Sequence, residues 1–194
     1  MEKSNLISDF RVVIFGGSAG SLEVLLKILP KLKTPISFAL VIVVHRKNSE
    51  DSTLEELIAL KTNIPVREVE DKILLEPGAI YIAPSDYHLL FEKSNLLSLD
   101  TSEKVNYSRP SIDVAFESAA EVYGDLLTGI LLSGANSDGT HGLNAIRQLG
   151  GITVVQNPET AEMPFMPQNA IASEKPDYIF NAEEIIQLID SIGW

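Results

Sequence analysis

Ser18, His45 and Asp138 each fall just past an apolar run of strand length. Ser18 follows Arg11-Val-Val-Ile-Phe-Gly-Gly17, His45 ends Phe38-Ala-Leu-Val-Ile-Val-Val44, and Asp138 lies a short loop beyond Leu126-Leu-Thr-Gly-Ile-Leu-Leu132. A hydroxyl, an imidazole and a carboxylate are the set that performs acyl transfer. The imidazole takes the serine proton, and the carboxylate fixes its tautomer and stabilises the imidazolium. Their order along the chain is Ser, His, acid, whereas α/β-hydrolases run Ser, acid, His. A triad here belongs to a different topology.

The elements that must position these residues point to an α/β fold. Near-continuous apolar strands alternating with helices predict a doubly wound, mostly parallel sheet with helices on both faces. In such sheets ligands bind outside the carboxyl ends of the strands, where the three residues can converge. Strand 11–16 leads to a helix near 20–32 with Leu22, Leu25, Leu26 and Leu29 on one face. Strand 37–44 precedes a helix near 51–61. Val66–Val69, Ala79–Ala83, His88–Phe91 and Asn95–Leu99 are short runs between turn residues, expected as a short antiparallel hairpin region. Then follow a helix near 111–124, strand 126–132, helix 139–149, strand 152–155 and a short segment near 167–173. Tyr178-Ile-Phe180 reads as an edge strand, and Glu183 to Ile192 as an amphipathic helix.

Each candidate also has a plainer explanation. In Phe15-Gly-Gly-Ser-Ala-Gly-Ser21 a serine beside a helix N-terminus gains from the unpaired amides and the dipole there. Alternatively, Ser18 or Ser21 simply caps the helix. A dinucleotide fingerprint fits poorly, because the glycines at 16, 17 and 20 miss the Gly-x-Gly-x-x-Gly spacing and the next strand ends in His45. Asp138 can orient His45, or it can be the N-cap of helix 139–149. Ala19, beside the serine, and Gly134 and Ala135, in the loop Ser133–Gly142, are the candidate oxyanion donors. Neither His88 nor His141 has an evident partner, and no His, Asp or Glu cluster has metal spacing, so no metal is expected.

Composition narrows the class. The chain of 194 residues has 45% hydrophobic residues, enough for one domain with a substantial core. It has no cysteine, which excludes disulfides and a thiol nucleophile. The net charge of −12 argues against a nucleic-acid partner. The apolar runs fall short of the ~20 residues that span a bilayer, and Met1–Phe10 lacks the pattern of a signal peptide. The expectation is a soluble cytoplasmic protein with no direct membrane insertion.

Six ordered segments resemble the catalytic domain of the bacterial chemotaxis receptor methylesterase, the CheB type. They are Gly16-Gly-Ser-Ala-Gly20, Val43-Val-His45, Gly78-Ala-Ile-Tyr-Ile-Ala-Pro84, Ser108-Arg-Pro-Ser-Ile-Asp113, Leu132-Ser-Gly-Ala-Asn-Ser-Asp-Gly139 and Met166-Pro-Gln-Asn-Ala-Ile171. The resemblance implies Ser18 as nucleophile, His45 as base and Asp138 as acid. It implies hydrolysis of glutamate γ-methyl esters on the methylated cytoplasmic helices of transmembrane chemoreceptors, with glutamine deamidation at the same sites. No cofactor is implied. Arg109 either binds the acidic receptor helix or forms a buried ion pair with Asp113. The chain departs from many members at Ala19, Ser21, Val44 and Ala135-Asn136-Ser137. Members acting in chemotaxis usually carry an N-terminal receiver, but here the first strand begins about ten residues in. The expectation is therefore a single catalytic domain over residues 1–194 with no receiver domain, either stand-alone or cut from a larger protein. The competing classes are a non-catalytic interaction module of a signalling protein and a small-molecule esterase.

Overall fold

The computed structural model describes residues 10–46, 53–173 and 175–192. Its strands are β1 (Val12–Gly17), β2 (Ala39–Val44), β3 (Val66–Glu68), β4 (Ile73–Leu74), β5 (Ile80–Ile82), β6 (His88–Phe91), β7 (Leu96–Asp100), β8 (Leu127–Leu131), β9 (Ile152–Gln156) and β10 (Tyr178–Phe180). Between them lie α1 (Ser21–Ile28), α2 (Thr53–Ala59), α3 (Ile112–Tyr123), α4 (Thr140–Gln148), α5 (Phe165–Ser173) and α6 (Ala182–Ile192).

Seven strands form one sheet in the order β10-β9-β8-β1-β2-β5-β3, every neighbouring pair parallel. β1 and β2 are buried along their whole length, as a sheet covered on both faces requires. Successive side chains leave on opposite faces. Val12 and Ile14 pack into a core shared with α3, α4 and α5, whereas Val13 and Phe15 pack with α1, α2 and α6. From β1 the sheet grows one way through β2 and β5 and the other way through β8 and β9. That reversal is the topological switch point, and it opens a crevice at the carboxyl ends of β1 and β8. Among the described residues, no helix is long and apolar enough to cross a membrane.

The middle section departs from the hairpin expectation. Val66–Val69 and Ala79–Ala83 supply β3 and β5 to the parallel sheet, with Val66 opposite Ile80 and Ile80 opposite Leu40. A parallel pair needs a crossover of on the order of a dozen residues, and residues 69–79 provide it. The run Ile80-Tyr81-Ile82 is wholly buried, which suits a central strand better than a half-exposed hairpin. The antiparallel part is a separate three-stranded sheet, β4-β7-β6. It closes on α3, where the Phe91 N–H donates to Ser118 Oγ at 2.8 Å. The segment near 167–173 is α5, with Pro167 in the first turn, where a missing N–H breaks no helical bond. The start of the helix expected near 51–61 lies outside the described residues at 51 and 52, and α2 begins at Thr53.

Candidate active site

β1 and β2 stay in register to their ends, with Gly17 opposite Val44. The His45 N–H then donates to the Gly17 carbonyl at 3.0 Å. Ser18 and His45 are thus the next residues on adjacent strands, whose backbones lie roughly 5 Å apart. On its other side the Ser18 N–H donates to the Ser133 carbonyl at 2.9 Å, two residues beyond the last paired position of β1 and β8. Past Ser18 the chain turns sharply, because the Ser18 carbonyl accepts the Ser21 N–H at 3.1 Å and the Ser21 hydroxyl at 2.6 Å. Gly20 makes this turn with φ +80, and a Cβ there would lie 2.7 Å from Glu162 Cβ and from Ser133 Oγ. Ser18 is not the helix cap. That position belongs to Gly20, which offers no side-chain bond. Among the described residues the Ser18 hydroxyl has no hydrogen-bond partner, and it faces an open cleft of about 520 Å³ that His45 also lines.

Asp138 Oδ2 lies 2.7 Å from His45 Nε2. An ionised carboxylate only accepts, so the proton of this bond sits on Nε2 and Nδ1 keeps the basic lone pair. Asp138 does not cap α4, whose cap is Gly139. It caps α3 from outside. Oδ2 accepts the Ile112 N–H at 2.7 Å, while Oδ1 accepts the Asp113 N–H at 3.0 Å and the Ser111 hydroxyl at 3.1 Å. The Gly139 N–H, at 3.1 Å, and the Asn106 amide, at 3.3 Å, also donate to Oδ1. Burial pushes the Asp138 carboxyl up, but the His45 bond and the Asp113 and Ile112 amides outweigh it and hold the acid below its ordinary value. The first-turn amides of a helix are otherwise unpaired, and the positive end of its dipole favours the anion.

Several residues of this network were not legible beforehand. Asn136 folds back through its own turn, its Oδ1 accepting the Asp138 N–H at 3.0 Å, and its amide reaches 3.4 Å from His45 Nδ1. That long contact touches the lone pair a proton from Ser18 would need. Ser111, the N-cap of α3, accepts the Val114 N–H at 3.4 Å while donating to Asp138. His88 is buried and structural: its Nε2 donates to the Glu103 carbonyl at 2.9 Å and its Nδ1 accepts the Ser111 N–H at 3.2 Å. The one available signal was the dipeptide Asn106-Tyr107 between Val105 and Ser108, since Asn favours tight two-residue turns.

Two expectations need correction. The Gly134 N–H is spent on the Met163 carbonyl at 3.0 Å, so it is not an oxyanion donor in this arrangement. The backbone N–H groups of exposed Ala19 and Ala135 have no protein acceptor among the described residues. Arg109 forms no ion pair with Asp113. α3 starts only at Ile112, so the two residues do not share a helix face. Arg109 Nη1 donates instead to the Thr101 and Ser102 carbonyls, both at 2.8 Å, and the residue lines the cleft. Arg46, Lys104 and Arg109 line the cleft together with one carboxylate, Asp86. Arg46 is held by Glu55 at 2.9 Å and Glu68 at 2.7 Å. Among the described residues no group of three or more His, Asp or Glu could hold a metal ion.

With this geometry in view, comparison with known proteins is specific. The family model described as CheB methylesterase matches residues 13–189. A Leptospira interrogans protein provisionally named protein-glutamate methylesterase/protein-glutamine glutaminase is 43% identical over 180 residues, covering 93% of each chain. The protein-glutamate methylesterase/protein-glutamine glutaminase of Thermotoga maritima is 31% identical over 186 residues, covering 92% of this chain and 54% of that one. The crystal structure of the Thermotoga maritima CheB methylesterase catalytic domain superposes with a TM-score of 0.90 at 29% identity, covering 94% of this chain and 98% of that domain. The family match over residues 13–189 and a relative 43% identical over 93% of each chain show that the chain belongs to the CheB methylesterase family.

Proposed function

We propose that this chain is a protein-glutamate methylesterase with Ser18 as nucleophile, His45 as general base and Asp138 as the acid that orients it. The observation that carries the reading is the 2.7 Å bond from His45 Nε2 to a buried Asp138, with an uncommitted Ser18 hydroxyl in the same cleft. Membership in the family and the names of its relatives support the substrate, a glutamate γ-methyl ester on a chemoreceptor helix. Lys104 and Arg109 at the cleft support an acidic partner.

His45 Nδ1 accepts the Ser18 proton as Oγ attacks the ester carbonyl. The tetrahedral oxyanion is met by the N–H groups of Ala19 and Ala135. Collapse expels methanol, which takes its proton from the imidazolium, and leaves the glutamyl ester on Ser18. Water, deprotonated by His45, then releases the glutamate carboxylate and restores the serine. A glutamine substrate follows the same path with ammonia as the leaving group. Asp138 stays ionised throughout. The chain thus acts as one catalytic domain on the cytoplasmic side of the membrane, without entering it and with no cofactor in the reaction.

The test is methanol release from a methylated receptor fragment and from a generic small methyl ester. Turnover of the receptor fragment with much slower turnover of the generic ester supports the reading. The reverse order makes the chain a small-molecule esterase, and no release from either makes it a binding module.

A further inference from the structure

Val105, Asn106, Tyr107 and Ser108 form a tight two-residue turn beside the cleft. The Val105 and Ser108 backbones exchange hydrogen bonds at 2.9 and 3.1 Å, and both central residues take positive φ, 51 for Asn106 and 62 for Tyr107. Such a turn suits Asn or Gly, whereas a tyrosine pays for its left-handed conformation. From this exposed turn the Asn106 side chain reaches inward. Its Nδ2 donates to Asp113 Oδ2 at 2.9 Å and to Asp138 Oδ1 at 3.3 Å. An amide nitrogen has two hydrogens, so each acid receives one. The other donors to the Asp138 carboxylate come from α3, the neighbouring Gly139 and His45.

Asp113 has no role in the proposed reaction, yet it is buried beside the acid that does. Its Oδ1 accepts the Gly142 N–H at 2.8 Å. Burial pushes its carboxyl up to about 6, with the Gly142 bond opposing and the nearby Asp138 charge reinforcing the rise. Two carboxylates in one site tend to share a proton unless donors separate them.

We propose that Asn106 is a positioning residue for the esterase. Its amide bridges Asp113 and Asp138, lets both persist as carboxylates, and keeps Asp138 turned toward His45. This rests on the reading of Asp138 as the acid that orients His45. The charged and titratable groups around the pair are His45 from the end of β2, Glu117 on α3 and His141 on α4, with His88 behind Ser111. Losing the bridge leaves the two acids with one donor fewer. Asp113, whose carboxyl is already pushed up, then takes up its proton at higher pH than in the parent.

Two variants separate this role from a merely local one. Asn106→Gly keeps, and even favours, the positive φ while deleting the donor. Asn106→Asp keeps the shape but replaces the donor with a third carboxylate. The Gly variant is expected to lose about tenfold in kcat, with KM within about twofold. The acid limb of its pH–rate profile is expected to move up by roughly half a unit, and the Asp variant to be slower still. In parallel, carbon-13 NMR of the Asp113 carboxyl in the Gly variant should show a titration midpoint above that of the parent. That readout needs no turnover. If the parent protein releases no methanol, the esterase reading fails and the Asp113 titration alone decides whether Asn106 bridges the pair. An unmoved Asp113 titration overturns the proposal, and so does a Gly variant that turns over at the parental rate, the result expected if the side chain only shapes the turn.

Discussion

The Asp138 carboxylate accepts the Ile112 N–H at 2.7 Å, so one side chain both orients His45 and caps a helix 26 residues earlier in the chain. Asp138 therefore holds the imidazole and caps a helix at once. The capped helix is α3, not α4.

This dual role separates two variants. Asp138→Ala removes the acceptor for the first amides of α3 and is expected to destabilise the fold by about 2 kcal/mol. Asp138→Asn retains one acceptor and should cost less stability, yet its amide opposes the Nε2 proton and favours the wrong tautomer. Its kcat should fall by on the order of 10³–10⁴. Urea unfolding and steady-state turnover of the two variants check both halves. Near-full activity of either variant would reduce Asp138 to a cap.

Asp113 and Asp138 make opposite contributions to stability as pH changes. Asp113, at about 6 in the fold, lies above the ~3.9 of an unfolded aspartate. Its protonated form is the favoured one, so its contribution is fully present below about pH 4 and is lost as the pH rises through about 6. Asp138, held low, contributes above about pH 4 and loses that contribution as pH falls through its folded value. The stability of the parent relative to Asp113→Asn should therefore fall by on the order of 1–3 kcal/mol between about pH 4 and pH 6. Urea unfolding across that range measures it, and a gap that does not change with pH contradicts it.

Arg109 is tied by backbone carbonyls at the cleft rim, with no carboxylate partner among the described residues. Arg109→Ala should raise KM for a receptor fragment several-fold and change kcat by less. Because Lys104 and Arg109 both line the cleft, KM should also rise with salt, as the Debye length shrinks to about 3 Å at 1 M. A salt-independent KM would remove the electrostatic part of partner recognition.

The meeting of Ser18 and His45 was legible because parallel strands deliver their carboxyl ends to one edge, and both residues directly follow strands in register. The wider network was not. Asn106 lies in a stretch with no periodicity, and only the two-residue turn, formed after folding, aims its amide at residues 7 and 32 positions away. Arg109 and Asp113 do not pair because Ser111 is still extended, with ψ 134, and the helix begins after it. For β3 and β5, short apolar runs do not reveal whether the connection between them is a turn or a crossover.

The most direct measurement is the fate of Ser18 during turnover. Ser18 Oγ has no hydrogen bond to lose among the described residues, so Ser18→Ala should leave the unfolding free energy within about 0.5 kcal/mol of the parent. Mass spectrometry of acid-quenched reactions should find a glutamyl ester on the peptide containing Ser18 of the parent, none in the Ser18→Ala variant, and no methanol release by that variant. A folded Ser18→Ala protein that releases methanol at the parental rate would contradict the account.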